Sequence, residues 1–386
     1  MNKRTTIYLD HNATTPLCPE AREAMLPFID GLYGNPSSYH HVGRQARSAV
    51  EAARRTIAEI FGCSPAEAVF TAGGTEANNL ALRGAAAALK DRGRHIITSA
   101  IEHHSVLKTA EALGRDGFDI TFLPVDAQGV VAPQAAADAI RPDTILISVM
   151  HANNETGAVQ PVEVIGGAAR QRGIAFHTDA VQAFGKIPQG AVFEYADMVT
   201  VTAHKAYGPR GAGALLVRRG TPLVPLMTGG HHEQGLRPGT ENVAAIGGFA
   251  AAAEQAVAKL ASESARIAAL RDRFEALLLQ AISNIAINSR GAPRVPNTSN
   301  VCFAGIESES VLLHLDLLGI CASAGSACTT GEPEPSHVLR ALGLSSVQAQ
   351  GAVRFSLGRA TTVEQIDTVA AALAGIVKKL REVSSL

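Results

Sequence analysis

Two stretches decide the fold: Ile174-Ala-Phe-His-Thr-Asp-Ala-Val-Gln182 and Met198-Val-Thr-Val-Thr-Ala-His-Lys205. Each starts as a short apolar run and ends in residues that can do chemistry. An apolar run of that length, without alternation, suits a strand covered on both faces. The form recurs at Ala68-Val-Phe-Thr71, His95-Ile-Ile-Thr-Ser99 and Thr144-Ile-Leu-Ile-Ser-Val149. Helical periodicity lies between the runs. Val42, Ala46, Ala49, Val50, Ala53, Ile57 and Ile60 share one face, and Gly62 stops that helix. Gly73-Gly74-Thr75 opens another helix at Glu76. Buried strands alternating with helices predict an α/β class, a mostly parallel central sheet flanked by helices. Ligands of such sheets bind beyond the carboxyl ends of the strands, so the polar residues ending the runs are the ones to read.

The pattern changes after about Phe249. Ile267, Leu270, Phe274, Leu277, Leu278 and Ile282 make a long amphipathic helix. Short strands around Asn300–Phe303 and Val353–Leu357 follow. The last helix is expected to start at a capping box, Thr361-Thr-Val-Glu364, and to run through Ile366, Val369, Leu373, Ile376 and Leu380. This predicts a smaller α+β domain. The large domain is expected to span 15–258, and the small one 1–14 plus 259–386.

A chain of 386 residues is too long for one ordinary core. With 46% hydrophobic and 18% charged residues and a formal net charge of -1, it has no basic excess to attract nucleic acid or an anionic membrane. Its 5 cysteines are odd in number, and no pair has CxxC spacing. That favours reduced thiols over a disulfide scaffold or a zinc site. No apolar core follows Met1-Asn-Lys-Arg-Thr-Thr6, so a cytoplasmic protein is expected. One thiol stands out. Cys328 lies in Cys321-Ala-Ser-Ala-Gly-Ser-Ala-Cys328-Thr-Thr-Gly-Glu-Pro-Glu-Pro335, among small residues and prolines, and is a candidate nucleophile.

Five constellations carry possible chemistry. Lys205, after the strand ending at Thr202, is either a surface lysine or an amine that forms a Schiff base with an aldehyde cofactor. Asp179 is either a helix N-cap or the carboxylate that keeps a pyridine nitrogen protonated. Thr71-Ala-Gly-Gly-Thr-Glu76 is a tight turn or a phosphate cradle at a helix N-terminus. Glu102-His103-His104-Ser105 offers a histidine for stacking and proton transfer, or a helix cap. Arg354 is a fork for a substrate carboxylate, or a solvated charge on a sheet face.

Leu9-Asp-His-Asn-Ala-Thr-Thr-Pro16, Phe70-Thr-Ala-Gly-Gly-Thr-Glu-Ala-Asn-Asn79, Met150-His-Ala-Asn-Asn-Glu-Thr-Gly157, His177-Thr-Asp-Ala-Val-Gln182, Ala203-His-Lys205, Arg237-Pro-Gly-Thr-Glu-Asn242, Gly325-Ser-Ala-Cys-Thr-Thr330 and Val353-Arg-Phe-Ser-Leu357 together resemble the pyridoxal-phosphate-dependent cysteine desulfurases of the NifS/IscS type. The resemblance runs along nearly the whole chain. It implies the fold type I of pyridoxal-phosphate-dependent transferases, with the cofactor in the large domain and the cysteine loop in the small one. It implies conversion of L-cysteine to L-alanine, with the sulfur held on Cys328 as a persulfide and passed to an acceptor such as an iron–sulfur scaffold protein. Lys205 would carry the cofactor, Asp179 would pair with the ring nitrogen, and Gln182 would bond the ring hydroxyl. His103 would stack on the ring and act as donor or acceptor for the substrate thiol proton. Gly74, Thr75, Thr202 and His204 would hold the phosphate. Thr240 would reach the phosphate of a second subunit, which implies a homodimer. Asn154 would contact cofactor and substrate, and Arg354 the substrate. No permanent metal ligand is implied; Cys328 would at most ligate an iron–sulfur cluster transiently. Selenocysteine lyase chemistry on the same cofactor is the rival, as is a cofactor-binding regulator that has lost catalysis. The sequence departs from the family pattern at Gly331-Glu-Pro-Glu-Pro335 and in its short tail after the last helix, which mildly favours the nitrogen-fixation-like branch.

Overall fold

Ala68–Thr71, His95–Ser99, Thr144–Ser148 and Met198–Thr202 are strands buried at every residue, as their unbroken apolar runs require. The computed structural model describes residues 6–189, 192–324 and 335–383. In chain order its strands are β1 (Ile7–Tyr8), β2 (Ala68–Thr71), β3 (His95–Ser99), β4 (Asp119–Leu123), β5 (Thr144–Ser148), β6 (Ala175–Asp179), β7 (Met198–Thr202), β8 (Gly213–Val217), β9 (Ile285–Asn288), β10 (Thr298–Phe303), β11 (Ile320–Cys321) and β12 (Ala352–Ser356). The central sheet has the order β2-β8-β7-β6-β5-β3-β4. From β4 to β7 all pairs are parallel, and β8 runs against both of its neighbours. The carboxyl ends of β3, β5, β6 and β7 therefore share one edge, carrying Ser99, Ser148, Asp179 and Thr202.

Helices cover both faces. His41–Phe61 presents Ala46, Val50, Ala53, Ile57 and Phe61 to the core and ends at Gly62, whose φ of 64° needs a residue without a Cβ. Gly74–Leu89 packs Leu80, Leu82, Ala85 and Leu89 on the opposite face, with Val69, Ile96, Leu146 and Leu215. Each large apolar side chain buried here contributes roughly 1.5–3 kcal/mol.

A second apolar core lies under the antiparallel sheet β12-β10-β9. The helices Leu260–Ala281 and Val363–Val383 close it, through Ile267, Leu270, Phe274 and Leu278 on one and Ile366, Val369, Leu373 and Ile376 on the other. The expected capping box is displaced by one residue. Thr362 Oγ1 accepts from the Gln365 amide at 3.3 Å, and Gln365 Oε1 accepts from the Thr362 amide at 3.2 Å. Thr361 is taken up elsewhere, because its hydroxyl accepts from the Gly358 amide.

The N-terminal segment joins the two cores. β1 pairs with β11, and Leu9 is buried in the second core. The chain then crosses to the central sheet, where the Thr15 amide donates to the His204 carbonyl at 2.9 Å. Gly358 makes room for this crossing: a Cβ there would lie 2.0 Å from His11 Nε2. Among the described residues, no single helix is long and apolar enough to cross a membrane.

Candidate active site

The turn after β7 is one 3-10 turn, Ala203–Lys205, which leaves Lys205 just past the carboxyl edge of the sheet. Its Nζ donates to the Asn12 and Ala13 carbonyls, both at 2.6 Å. His204 bonds Thr14 Oγ1 through Nδ1 at 3.3 Å. Burial, with Lys205 and Arg210 nearby, pushes the His204 imidazole down to about 4, so it is neutral at pH 7.

Asp179 ends β6, and both of its oxygens accept. Oδ1 takes the Val181 amide at 2.9 Å, and Oδ2 takes the Asn78 amide nitrogen at 2.7 Å. No helix starts directly after Asp179: turns follow β6, so the Val181 bond is a local turn and not a helix cap. Asn78 also donates to Ser105 Oγ at 2.8 Å, and Ser105 Oγ lies 2.8 Å from His103 Nδ1. His103 is the N-cap of the helix His104–Arg115, accepting the Ser105 amide on the same Nδ1 at 3.1 Å. Burial pushes its imidazole below the usual range; Lys205, His104 and His337 push the same way, and Asp179 opposes them.

Gln182 and Lys186 face Asn12 on the turn after β6. Gln182 Nε2 donates to the Asn12 carbonyl at 3.0 Å, and Lys186 Nζ donates to Asn12 Oδ1 at 2.9 Å and to Gln182 Oε1. Burial holds the Lys186 amine well below the usual range, helped by Lys205 and Arg354. Arg354 on β12 is not a solvated charge. It is buried, its Nη2 pairs with Asp10 Oδ1 at 2.7 Å, and its Nη1 donates to the Asn154 carbonyl at 3.1 Å. Among the described residues its Nε has no hydrogen-bond partner, which leaves one donor of the fork unspent there.

Thr202 is buried and its hydroxyl donates to the Ala212 carbonyl at 3.1 Å. The Gly73 turn approaches closely. A Cβ on Gly213 would meet Gly73 Cα at 2.8 Å, and one on Gly74 would meet Val181 Cγ2 at 3.0 Å. Gly74 and Thr75 are the first residues of the sixteen-residue helix Gly74–Leu89, whose leading amides have no partner within the helix. Thr240 is exposed on the segment that Arg237 ties to Glu76 at 2.8 Å. Cys328 lies outside the described residues.

Sequence reasoning passed over Asn12, Asp10, Asn78, Ser105 and Lys186. All but Lys186 stand in stretches already quoted for other residues, yet single polar residues in turns have no period to mark them.

The arrangement fits pyridoxal phosphate. It offers a helix N-terminus with free amides for a dianion, a buried carboxylate for a pyridinium nitrogen, and an amine for an aldehyde. Comparison with known proteins agrees. The family model "Aminotransferase class-V" matches residues 7–369. The chain is 47% identical over 378 residues to the cysteine desulfurase IscS of Dictyoglomus turgidum, spanning 98% of this chain and 96% of that one.

This chain belongs to the cysteine desulfurases of the class-V aminotransferase family.

It is 45% identical to the IscS of Methanosarcina thermophila over 98% of its length and 94% of the relative. Among solved structures, a NifS-like protein superposes with a TM-score of 0.91 at 36% identity, covering 97% of this chain and all of the other. SspA, solved in complex with cysteine, gives 0.81 at 39% identity over 91% and 99%. As a cysteine desulfurase the chain is a pyridoxal-phosphate-dependent enzyme of the expected fold class.

Proposed function

We propose that this cysteine desulfurase takes sulfur from L-cysteine onto Cys328 as a persulfide, releases L-alanine, and passes the sulfur to an acceptor protein, an iron–sulfur scaffold in the first instance. The observation that carries the reading is the meeting of Lys205, Asp179, His103 and Arg354 at one edge of the central sheet, from four separate parts of the chain.

Lys205 would hold the cofactor aldehyde and Asp179 its ring nitrogen. Gln182 would reach the ring hydroxyl, and Asn154 the cofactor and the substrate. Gly74, Thr75, Thr202 and neutral His204 would surround the phosphate. Bound there, the pyridinium ring supplies an electron sink that acidifies the substrate Cα and weakens its Cβ–S bond. Lys205 Nζ, freed when the substrate amine replaces it, moves the Cα proton. Arg354 grips the substrate carboxylate through the donors it does not spend on Asp10. The Cys328 thiolate attacks the substrate sulfur; an S–S bond forms as the Cβ–S bond breaks, the electron pair stays with the carbon fragment, Cβ takes up a proton, and Lys205 returns the proton to Cα to give alanine. Two domains, 15–258 and 1–14 with 259–386, a cytoplasmic homodimer in which Thr240 completes the partner's phosphate site, and transient iron–sulfur ligation by Cys328 complete the proposal.

The Cys328→Ser variant, loaded with cofactor, tests it. It should keep the wild-type absorbance spectrum and lose persulfide formation and alanine release from L-cysteine, at least about 100-fold. Alanine formed at the wild-type rate sinks the assignment.

A further inference from the structure

His103 is joined to Asp179 by a chain of hydrogen bonds whose direction is forced at every link. Asp179 Oδ2 faces Asn78 at 2.7 Å and can only accept there, so the amide nitrogen, and not the oxygen, points to it. The same nitrogen lies 2.8 Å from Ser105 Oγ, so both of its hydrogens are committed and Ser105 Oγ accepts. The one hydrogen of the Ser105 hydroxyl is then directed to His103 Nδ1 at 2.8 Å. The Ser105 backbone amide also donates to that Nδ1, at 3.1 Å. A nitrogen accepting two donors carries no hydrogen, so the neutral ring carries its proton on Nε2.

To gain a second proton the ring would have to take it at Nδ1. The backbone amide cannot turn away, because it is held in the first turn of the helix His104–Arg115. Among the described residues, the charged and titratable groups facing the ring are Lys205, His104 and His337, which disfavour a cation, and Asp179, which favours one. Desolvation outweighs them all and also opposes the cation.

We propose that Ser105 and Asn78 are positioning residues that lock His103 as a neutral imidazole with its hydrogen on Nε2, so that His103 serves cofactor and substrate as a fixed hydrogen-bond donor and does not accept the substrate thiol proton. This rests on the desulfurase reading above for its substrate, and it replaces proton exchange with the substrate thiol by hydrogen-bond donation as the role of His103. The amides that order the helix also fix the chemistry of its cap.

The experiment is nitrogen NMR of the holoenzyme labelled with 15N-histidine, followed from pH 4.5 to 9, with His103 assigned from a His103→Gln sample. The wild-type ring should show one neutral tautomer, protonated at Nε2, and should titrate below the range of a free imidazole. Ser105→Ala removes one of the two donors to Nδ1. The acid titration of His103 should then move up by about one pH unit, and Ser105→Thr should restore it. Asn78→Ala should move it the same way, by less. A wild-type ring that titrates at or above the ordinary imidazole value of about 6.5, or carries its proton on Nδ1, overturns the proposal even if no variant folds. A Ser105→Ala ring that titrates with the wild type overturns the role of Ser105. Failure to form alanine in a wild-type enzyme with the predicted tautomer counts against the desulfurase reading and leaves the lock standing.

Discussion

Glu102 precedes His103 with no exposed surface, and among the described residues only one of its carboxyl oxygens has partners. Oε1 accepts from Ser99 Oγ at 2.6 Å and from the Met150 amide at 2.8 Å; Oε2 has none. Burial, with Asp179 nearby, pushes the carboxyl up from 4.5 to about 8. The folded state therefore keeps a proton that the unfolded chain gives up above pH 4.5. Over pH 4.5 to 8 the native protein binds more protons at this residue, so its contribution to stability falls as pH rises. Gln at this position keeps an acceptor for Ser99 and Met150 and cannot ionise. The stability of Glu102→Gln relative to wild type should grow between pH 5 and 8, by up to about 1.4 kcal/mol per pH unit. Urea titrations at pH 5, 6, 7 and 8 measure it; a difference constant with pH would mean that Glu102 is ionised in the fold. Such a residue is invisible as an acid in the sequence, because the apolar shell that keeps it protonated is assembled from other strands.

At the scale of elements, the strands that the sequence announces are those with both faces covered. Gly213-Ala-Leu-Leu-Val217 has the same apolar form, yet β8 runs antiparallel. The connection over 203–212 explains this, being too short to carry a covering helix back across the sheet. β1 and β11 have two residues each and cannot show a period. The long helices were legible through their faces, while their first residue was not. Thr361 and Thr362 are adjacent hydroxyls with acceptors three residues on, and the choice between them is made by Gly358, whose amide claims Thr361. Thr362→Ala should therefore destabilise the protein by about 1 kcal/mol, with Thr362→Ser close to wild type. Equilibrium unfolding in urea decides it; an unchanged midpoint in Thr362→Ala would put the cap elsewhere.

For the whole molecule, the site exists only because two cores meet across one strand-like segment. Asn12 is the clearest case. Its amide nitrogen donates to Thr298 Oγ1 at 2.8 Å and to the Asn154 carbonyl at 3.1 Å, and its backbone amide donates to Ser356 Oγ at 2.9 Å. Its side-chain oxygen accepts from Lys186 at 2.9 Å and from Asn297 at 3.0 Å, while its carbonyl holds Gln182 and Lys205. Thr298 is 286 residues away along the chain, so no local pattern could foretell the pairing. Lys205 and Asp179 at the ends of their strands were legible, because sheet topology alone brings them to one edge. Asn12→Ala leaves the backbone bonds and removes the side-chain ones, stranding the buried Lys186 amine with one acceptor fewer. The expected loss is about 2–4 kcal/mol of unfolding free energy, larger than for an exposed asparagine because the abandoned groups are cut off from water. Lys186→Met in the same background should give part of that loss back, since the amine left short of an acceptor is then gone. The double variant unfolding at the sum of the two single losses would show that Asn12 and Lys186 act independently, and that the segment is held by its backbone alone.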